Sequence, residues 1–189
     1  MSNVNQPSMK MTAKDYFERH IPHRVNLLVT FRERFEKVPI KEKGYYVRDL
    51  FRCSKDSSLL MTRFFLSELG VKLHRKTNKL IPENEDNYLE RARTFNLQTL
   101  SIPVLESNPK LYNDLVEVLK AANRAVAHII NKDVDHIFND DPGDEIIFRV
   151  IEYLEDKIIS NIYKSKNKFA RVMEIDDNNM YRERLKLYK

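Results

Sequence analysis

The 189-residue sequence predicts an all-α, single-domain antiparallel bundle of four or five long helices with a basic C-terminal arm. Three observations carry that expectation. Apolar residues recur at three- and four-residue steps along most of the chain, which is the pattern of helices buried along one stripe. The length suits one compact domain able to bury a sizeable core, and no repeat at a fixed period points to a solenoid. The composition is 42% hydrophobic and 10% aromatic, with three glycines, seven prolines and one cysteine. These values exclude collagen-like, low-complexity and disulfide-scaffold classes.

Residues 1–11 read as a loose tail, residues 12–163 as the bundle domain and residues 164–189 as the basic arm. The first helix starts at Thr12, where Asp15 completes a T-x-x-D capping box. Phe17, Ile21, Val25, Leu28, Phe31 and Phe35 form its apolar face, and Pro22 is expected to kink or restart it. The turn at 38–44 contains Pro39. A second helix spans about 45–69 with Gly70 placed to end it. Its seam reads Val47, Leu50/Phe51, Ser54, Ser58, Met61 and Phe65, and the small serines would let a neighbouring helix come close. VKLHRKTNKLI (71–81) is a basic loop or short hairpin. Pro82 with Glu83, Glu85 and Asp86 marks the next helix start, where negative charge suits the macrodipole; Tyr88, Leu89, Ala92 and Phe95 supply its inner face. Residues 96–107 read as a packed connector. Asn108-Pro109 then caps a helix with the stripe Leu111, Leu115, Val118/Leu119, Ala122, Val126 and Ile129. After an acidic loop, Asp141-Pro142 opens the last helix, with Ile147, Val150/Ile151, Leu154, Ile158 and Ile162 facing inward.

The formal net charge of +5 is unevenly spread. Residues 1–81 carry 17 Lys and Arg against 8 Asp and Glu, residues 82–163 carry 8 against 16, and residues 164–189 carry 8 against 4. A basic face attracts polyanions, of which RNA and DNA are the usual ones. The competing explanation is that acidic and basic segments pack together, or that copies assemble head to tail. No run of about 18 apolar residues suggests a membrane span. With no secretory signal in MSNVNQPSMK and Cys53 alone, a cytoplasmic location is expected.

The fourth long stretch holds the most suggestive string, AANRAVAHI (121–129). Arg124 and His128 lie four apart on one helix face with Glu117 below them, nearly opposite the apolar stripe. Ala121, Ala125 and Ala127 would leave that face low, open to a second helix or an RNA backbone. An imidazole beside a guanidinium suits RNA cleavage. The histidine can move a proton to or from the 2′-hydroxyl or the leaving oxygen, and the arginine can hold the phosphate by two parallel hydrogen bonds.

On these residues the sequence resembles the HEPN helical domains, over about residues 45–163. That family's signature is an arginine, a polar residue, three to five others and a histidine, on a late helix of a small bundle. Asn123-Arg124…Ala127-His128 is similar, with the polar residue ahead of the arginine and three residues between Arg124 and His128. The resemblance implies a metal-independent ribonuclease of a toxin or defence system, without a cofactor. In it Arg124 would bind phosphate, His128 would act as general acid or base, and Asn123 would orient the reacting group. It also implies a homodimer in which two motifs share one cleft. Such a dimer would bury the Ala121/Ala125 face, and an antitoxin or other protein partner fits the same setting.

Other clusters carry residue types suited to binding. Arg48, Arg52 and Lys55 form a candidate phosphate-binding row, interleaved with Asp49 and Asp56; the same residues also read as a salt-bridge ladder. His20 and His23 are spaced to share a zinc ion, but nothing nearby completes a ligand set and Pro22 disturbs the geometry, so they read as a polar patch. The loop 133–144 mimics a calcium loop but has Phe138 where glycine is required and lacks the final bidentate glutamate. Cys53 is expected as a buried small hydrophobe. No Walker, GxGxxG, GxSxG or HExxH motif occurs. The functional expectation is thus an HEPN-like RNA-binding protein, with ribonuclease activity as its sharper form. The alternative is a non-enzymatic interaction or scaffold protein whose alanine-lined helix face binds a partner.

Overall fold

The chain enters its first helix at Thr12, the first residue described in the computed structural model. The described residues are 12–37, 44–130 and 142–163, without the side chains of Glu18, residues 126–130, Ile159 and Tyr163. The expectations for the tail 1–11, the turn at 38–43, the acidic loop at 131–141 and the arm 164–189 lie outside them. Among the described residues the chain is mostly helical, with seven helices and one two-stranded sheet.

Thr12 Oγ1 accepts the Asp15 backbone N–H at 3.0 Å, and its hydroxyl lies 2.6 Å from Asp15 Oδ2. The cap predicted from T-x-x-D is thereby formed. One α-helical turn, α1 (Ala13–Asp15), passes into a π turn at Tyr16–His20 and then into α2 (Ile21–Phe35), with Pro22 in its first turn. Proline has no N–H for the ladder, and the widened turn ahead of it accommodates the missing bond. The interruption predicted at Pro22 is therefore this π turn. Phe17, Ile21, Leu28, Phe31 and Phe35 are buried behind it.

α3 (Tyr45–Glu68) ends at Leu69 and Gly70, as expected from the sequence. Gly70 has φ +80°, and a Cβ there would lie 2.7 Å from Tyr88 Oη and 2.8 Å from Thr99 Cγ2. Both the left-handed turn and the close approach require glycine. The buried face of α3 is Ser58, Leu59, Thr62, Phe65 and Leu66. Two expectations are corrected here: Cys53 is exposed, and Leu50 is 40% exposed. Nine residues at 100° per residue put position 53 half a turn away from Thr62, on the solvent side. The serine seam does bring a neighbour close, since Ser58 Oγ donates to the Leu28 carbonyl of α2 at 2.7 Å.

Residues 71–82 form the hairpin, β1 (Val71–Leu73) antiparallel to β2 (Leu80–Pro82), with Lys72 opposite Ile81. The Leu80 N–H donates to Tyr112 Oη at 3.0 Å, which pins the hairpin to α6 (Pro109–Ile130). α4 (Asp86–Phe95) carries Asp86 in its first turn and Glu85 at its N-cap, as the sequence suggested, whereas Pro82 belongs to β2 and Glu83 is buried ahead of the helix. Its end is set by Asn96 at φ +50°, a conformation asparagine tolerates. The connector contains a short helix, α5 (Ile102–Glu106). Asn108 Oδ1 accepts the Leu111 N–H at 3.2 Å, so the predicted cap of α6 is in place. α7 (Asp144–Lys157) begins just past Pro142 and runs on into a π turn at Ile158–Tyr163. All six residues expected to face inward from it, Ile147 to Ile162, are buried.

α3 lies at the centre, packed against α2, α6 and α7, with the hairpin at its C-terminal end against α6. Ion pairs join elements distant in sequence. Glu68, whose side chain is 1% exposed, accepts from the Tyr16 hydroxyl and from Arg91 of α4 at 2.8 Å and 2.9 Å. Arg32 of α2 pairs with the buried Glu155 of α7. Arg149 of α7 grips Asp114 of α6 through two bonds of 2.9 Å and 3.1 Å.

Candidate nucleic-acid interface

α6 places Asn123 and Arg124 next to each other beyond the buried residues Leu115, Val116, Val118, Leu119, Ala121 and Ala122, and both are half-buried. His128 lies on the same helix, but its side chain is outside the described residues, so the Arg124–His128 pair has no described geometry. Below them Glu117 is held by Lys120 at 2.8 Å. Ala121 departs from its expected accessibility. It is only 6% exposed, because it belongs to the same packed side of α6 as Val118 and Ala122. Ala125 is half-buried.

The α3 row divides in two. Arg48 and Arg52 are exposed. The Lys55 side chain is 12% exposed, with its ammonium 2.7 Å from Asp144 Oδ1 of α7. The lysine thus joins α3 to α7, while the two arginines face solvent. The expected row did not include the aromatic residues at the start of α3. Tyr45 and Tyr46 are each 74% exposed. Tyr45, Arg52 and the exposed Arg63 stand 7 and 11 residues apart, which aligns them within about 20° on one face of the helix, over about 27 Å.

Arg63 leads into a cavity of about 530 Å³ between the end of α3, the hairpin and α6. Arg63, His74, Arg75, Lys76 and Asn123 line it, so the cavity joins one predicted motif residue to cations from two other elements. Its wall also contains Glu83, Glu85 and Lys72. Burial pushes the Glu83 carboxyl up, but the Lys72 ammonium at 2.8 Å outweighs it, with help from the N–H groups of Glu85 and Asn84. The carboxyl is held below the usual carboxylate range. The same bond to Glu83 holds the Lys72 ammonium above its ordinary value. Lys72 and Glu83 thus stay charged around neutral pH and offset each other, with Ser67 Oγ donating to Glu83 at 3.2 Å. Counting the Glu85 carboxylate, 3.6 Å from Lys72, the cavity keeps a formal excess of two positive charges, carried by Arg63, Arg75 and Lys76, with which no described residue forms an ion pair.

His74 adds a hydrogen-bond donor to the lining. The Thr77 N–H points at its Nδ1 at 3.3 Å, and the Thr77 hydroxyl lies 2.9 Å from the same nitrogen. A backbone N–H can only donate, so Nδ1 accepts and the ring proton of the neutral form is assigned to Nε2. Elsewhere, Arg24 Nη1 lies 3.3 Å from His20 Nδ1 and 3.1 Å from the His20 carbonyl, so His20 and Arg24 form a polar contact at the π turn. Among the described residues no group of three or more His, Cys, Asp or Glu is placed to hold a metal ion, and no helix is long and apolar enough to cross a membrane.

What the arrangement can do chemically is bind an extended polyanion. Arginine forks and a lysine meet phosphate oxygens, and exposed tyrosine rings offer surfaces on which bases stack. No protein-family model, no curated protein and no solved structure matches this chain.

Proposed function

We propose that this chain binds RNA, with the four long helices α2, α3, α6 and α7 forming the bundle that presents the binding face. One observation carries the reading: the line Tyr45, Arg52, Arg63 runs into a cavity whose cations Arg63, Arg75 and Lys76 have no acidic partner among the described residues. Clustered cations repel one another, and a phosphate backbone relieves that repulsion while releasing counterions. Arg48, exposed between Tyr45 and Arg52, adds a further cation beside the line, from the row the sequence suggested.

The sharper form of the proposal is HEPN-like cleavage by Arg124 and His128. His128 would take the proton of a 2′-hydroxyl as it attacks the adjacent phosphate, or return a proton to the leaving 5′-oxygen. Arg124 would steady the charge on the phosphoryl oxygens, and Asn123 would orient the reacting group. A homodimer meeting around Asn123 and Arg124 would bring two such sets together. The test is to incubate the full chain with end-labelled single-stranded RNA in excess EDTA. Cleavage to products with 2′,3′-cyclic phosphate ends is expected. Intact RNA that nonetheless stays bound would remove the catalytic form and keep the binding form, and failure to bind would remove both.

A further inference from the structure

The line on α3 is open along its length, but the cavity at its end is lined by three elements and also holds the apolar side chains Val71, Leu73, Ile81 and Leu119. About 530 Å³ falls within the ~300–1,000 Å³ usual for small-molecule sites. A strand passing through needs only a match for one negative charge per phosphodiester. Here the side chains of Arg63, Arg75, Lys76, His74 and Asn123 line one space, with Lys72 set against Glu83 and Glu85 in its wall and a formal excess of two positive charges. Such a set of donors matches a phosphate monoester, which carries about −1.5 to −2 charge at neutral pH and three terminal oxygens. The apolar residues suit the flat face of a base attached to it.

From this arrangement we infer that the cavity binds the phosphomonoester of a nucleotide, either at the end of an RNA strand or as a free mononucleotide. Arg63, Arg75, Lys76, His74 and Asn123 hold the phosphate. For the strand-end source the inference rests on the RNA-binding reading; for the free nucleotide it stands alone.

The experiment uses the full chain and a 2′-O-methyl oligoribonucleotide, which has no 2′-hydroxyl and cannot be cleaved through it. The oligonucleotide is made with a 5′-phosphate, with a 3′-phosphate, or with hydroxyls at both ends. Adenosine 5′-monophosphate and adenosine are titrated separately by calorimetry. At least tenfold tighter binding of a phosphorylated end is expected, and the R75A/K76A double variant abolishes that preference. Both residues lie on an exposed turn with no described ion pair, so the substitutions leave the fold intact. Binding of the monophosphate but not adenosine, without an end preference, assigns the free nucleotide as the source. It leaves this inference standing even if the hydroxyl-ended strand does not bind and the RNA reading fails. No end preference together with no binding of the monophosphate overturns the inference, even if the strand itself binds.

Discussion

Replacing Arg91 by alanine is expected to cost about 3 kcal/mol of stability. Glu68 sits at the C-terminal end of the central helix with its side chain 1% exposed, and Arg91 supplies two of its hydrogen bonds at 2.8 Å and 2.9 Å. Without the guanidinium a carboxylate is left in the interior against the Tyr16 hydroxyl. Removing one member of a buried pair costs more than the pair contributes, because the charge that stays behind has lost its water and its counter-charge. The figure sits at the low end of the usual range because Tyr16 remains. Urea unfolding of the wild type and R91A measures the loss. Combining R91A with E68Q should recover part of it, since an amide is cheaper to bury than a carboxylate. Equal stabilities of wild type and R91A would show that the α3–α4 lock contributes nothing.

H128A is expected to lower RNA cleavage by about 10²–10⁴-fold, the usual range for a lost general acid or base. R124A should lower it by a comparable factor through loss of transition-state charge stabilisation, about 10²–10³-fold. Binding of the uncleavable 2′-O-methyl strand should change little in H128A and fall in R124A. The two variants are thus distinguishable from each other and from a general loss of structure, which far-ultraviolet circular dichroism would report. Unchanged cleavage in both would leave the resemblance to HEPN domains without a catalytic meaning here.

How much of this could be read from the sequence depends on how local the cause is. Thr12 and Asp15, Pro22, Gly70 and Asn108-Pro109 each act on the backbone within a few residues, and each starts, interrupts or ends its helix where expected. The inward stripe of α7 was equally legible because its polar and apolar sides are cleanly separated. α3 was harder. Its first half carries Tyr45, Tyr46, Val47, Leu50, Phe51 and Cys53 around most of the helix, so periodicity alone could not choose the buried side, and Leu50 and Cys53 were assigned wrongly. Glu83 illustrates a different failure. Its place before a helix looked like a macrodipole contact, yet its partner is Lys72 across the hairpin, which only the β1–β2 pairing brings near.

The candidate site shows the same division. Asn123 and Arg124 were singled out by their position on one helix face. The cations that meet Asn123 come from positions 63, 75 and 76, and no spacing rule connects those numbers. The basic character of 71–81 was visible in the composition, and a hairpin was one of its two expected forms. What could not be seen is that the hairpin folds back over the end of α3 and turns those charges toward α6. Lys55 went the opposite way: a free cation in the sequence row, it is tied to Asp144 once α7 is packed in place.

The central claim is that cations on α3 and the hairpin bind phosphate, and the most direct measurement is the salt dependence of binding to the 2′-O-methyl strand. Four contacts, from Arg52, Arg63, Arg75 and Lys76, predict that log K falls against log salt concentration with a slope of about −3, at about −0.7 per phosphate on a single strand. R75A/K76A should flatten that slope by about 1.4. No binding at low salt, or a slope near zero that the double variant leaves unchanged, would contradict the account and favour a protein partner on this face.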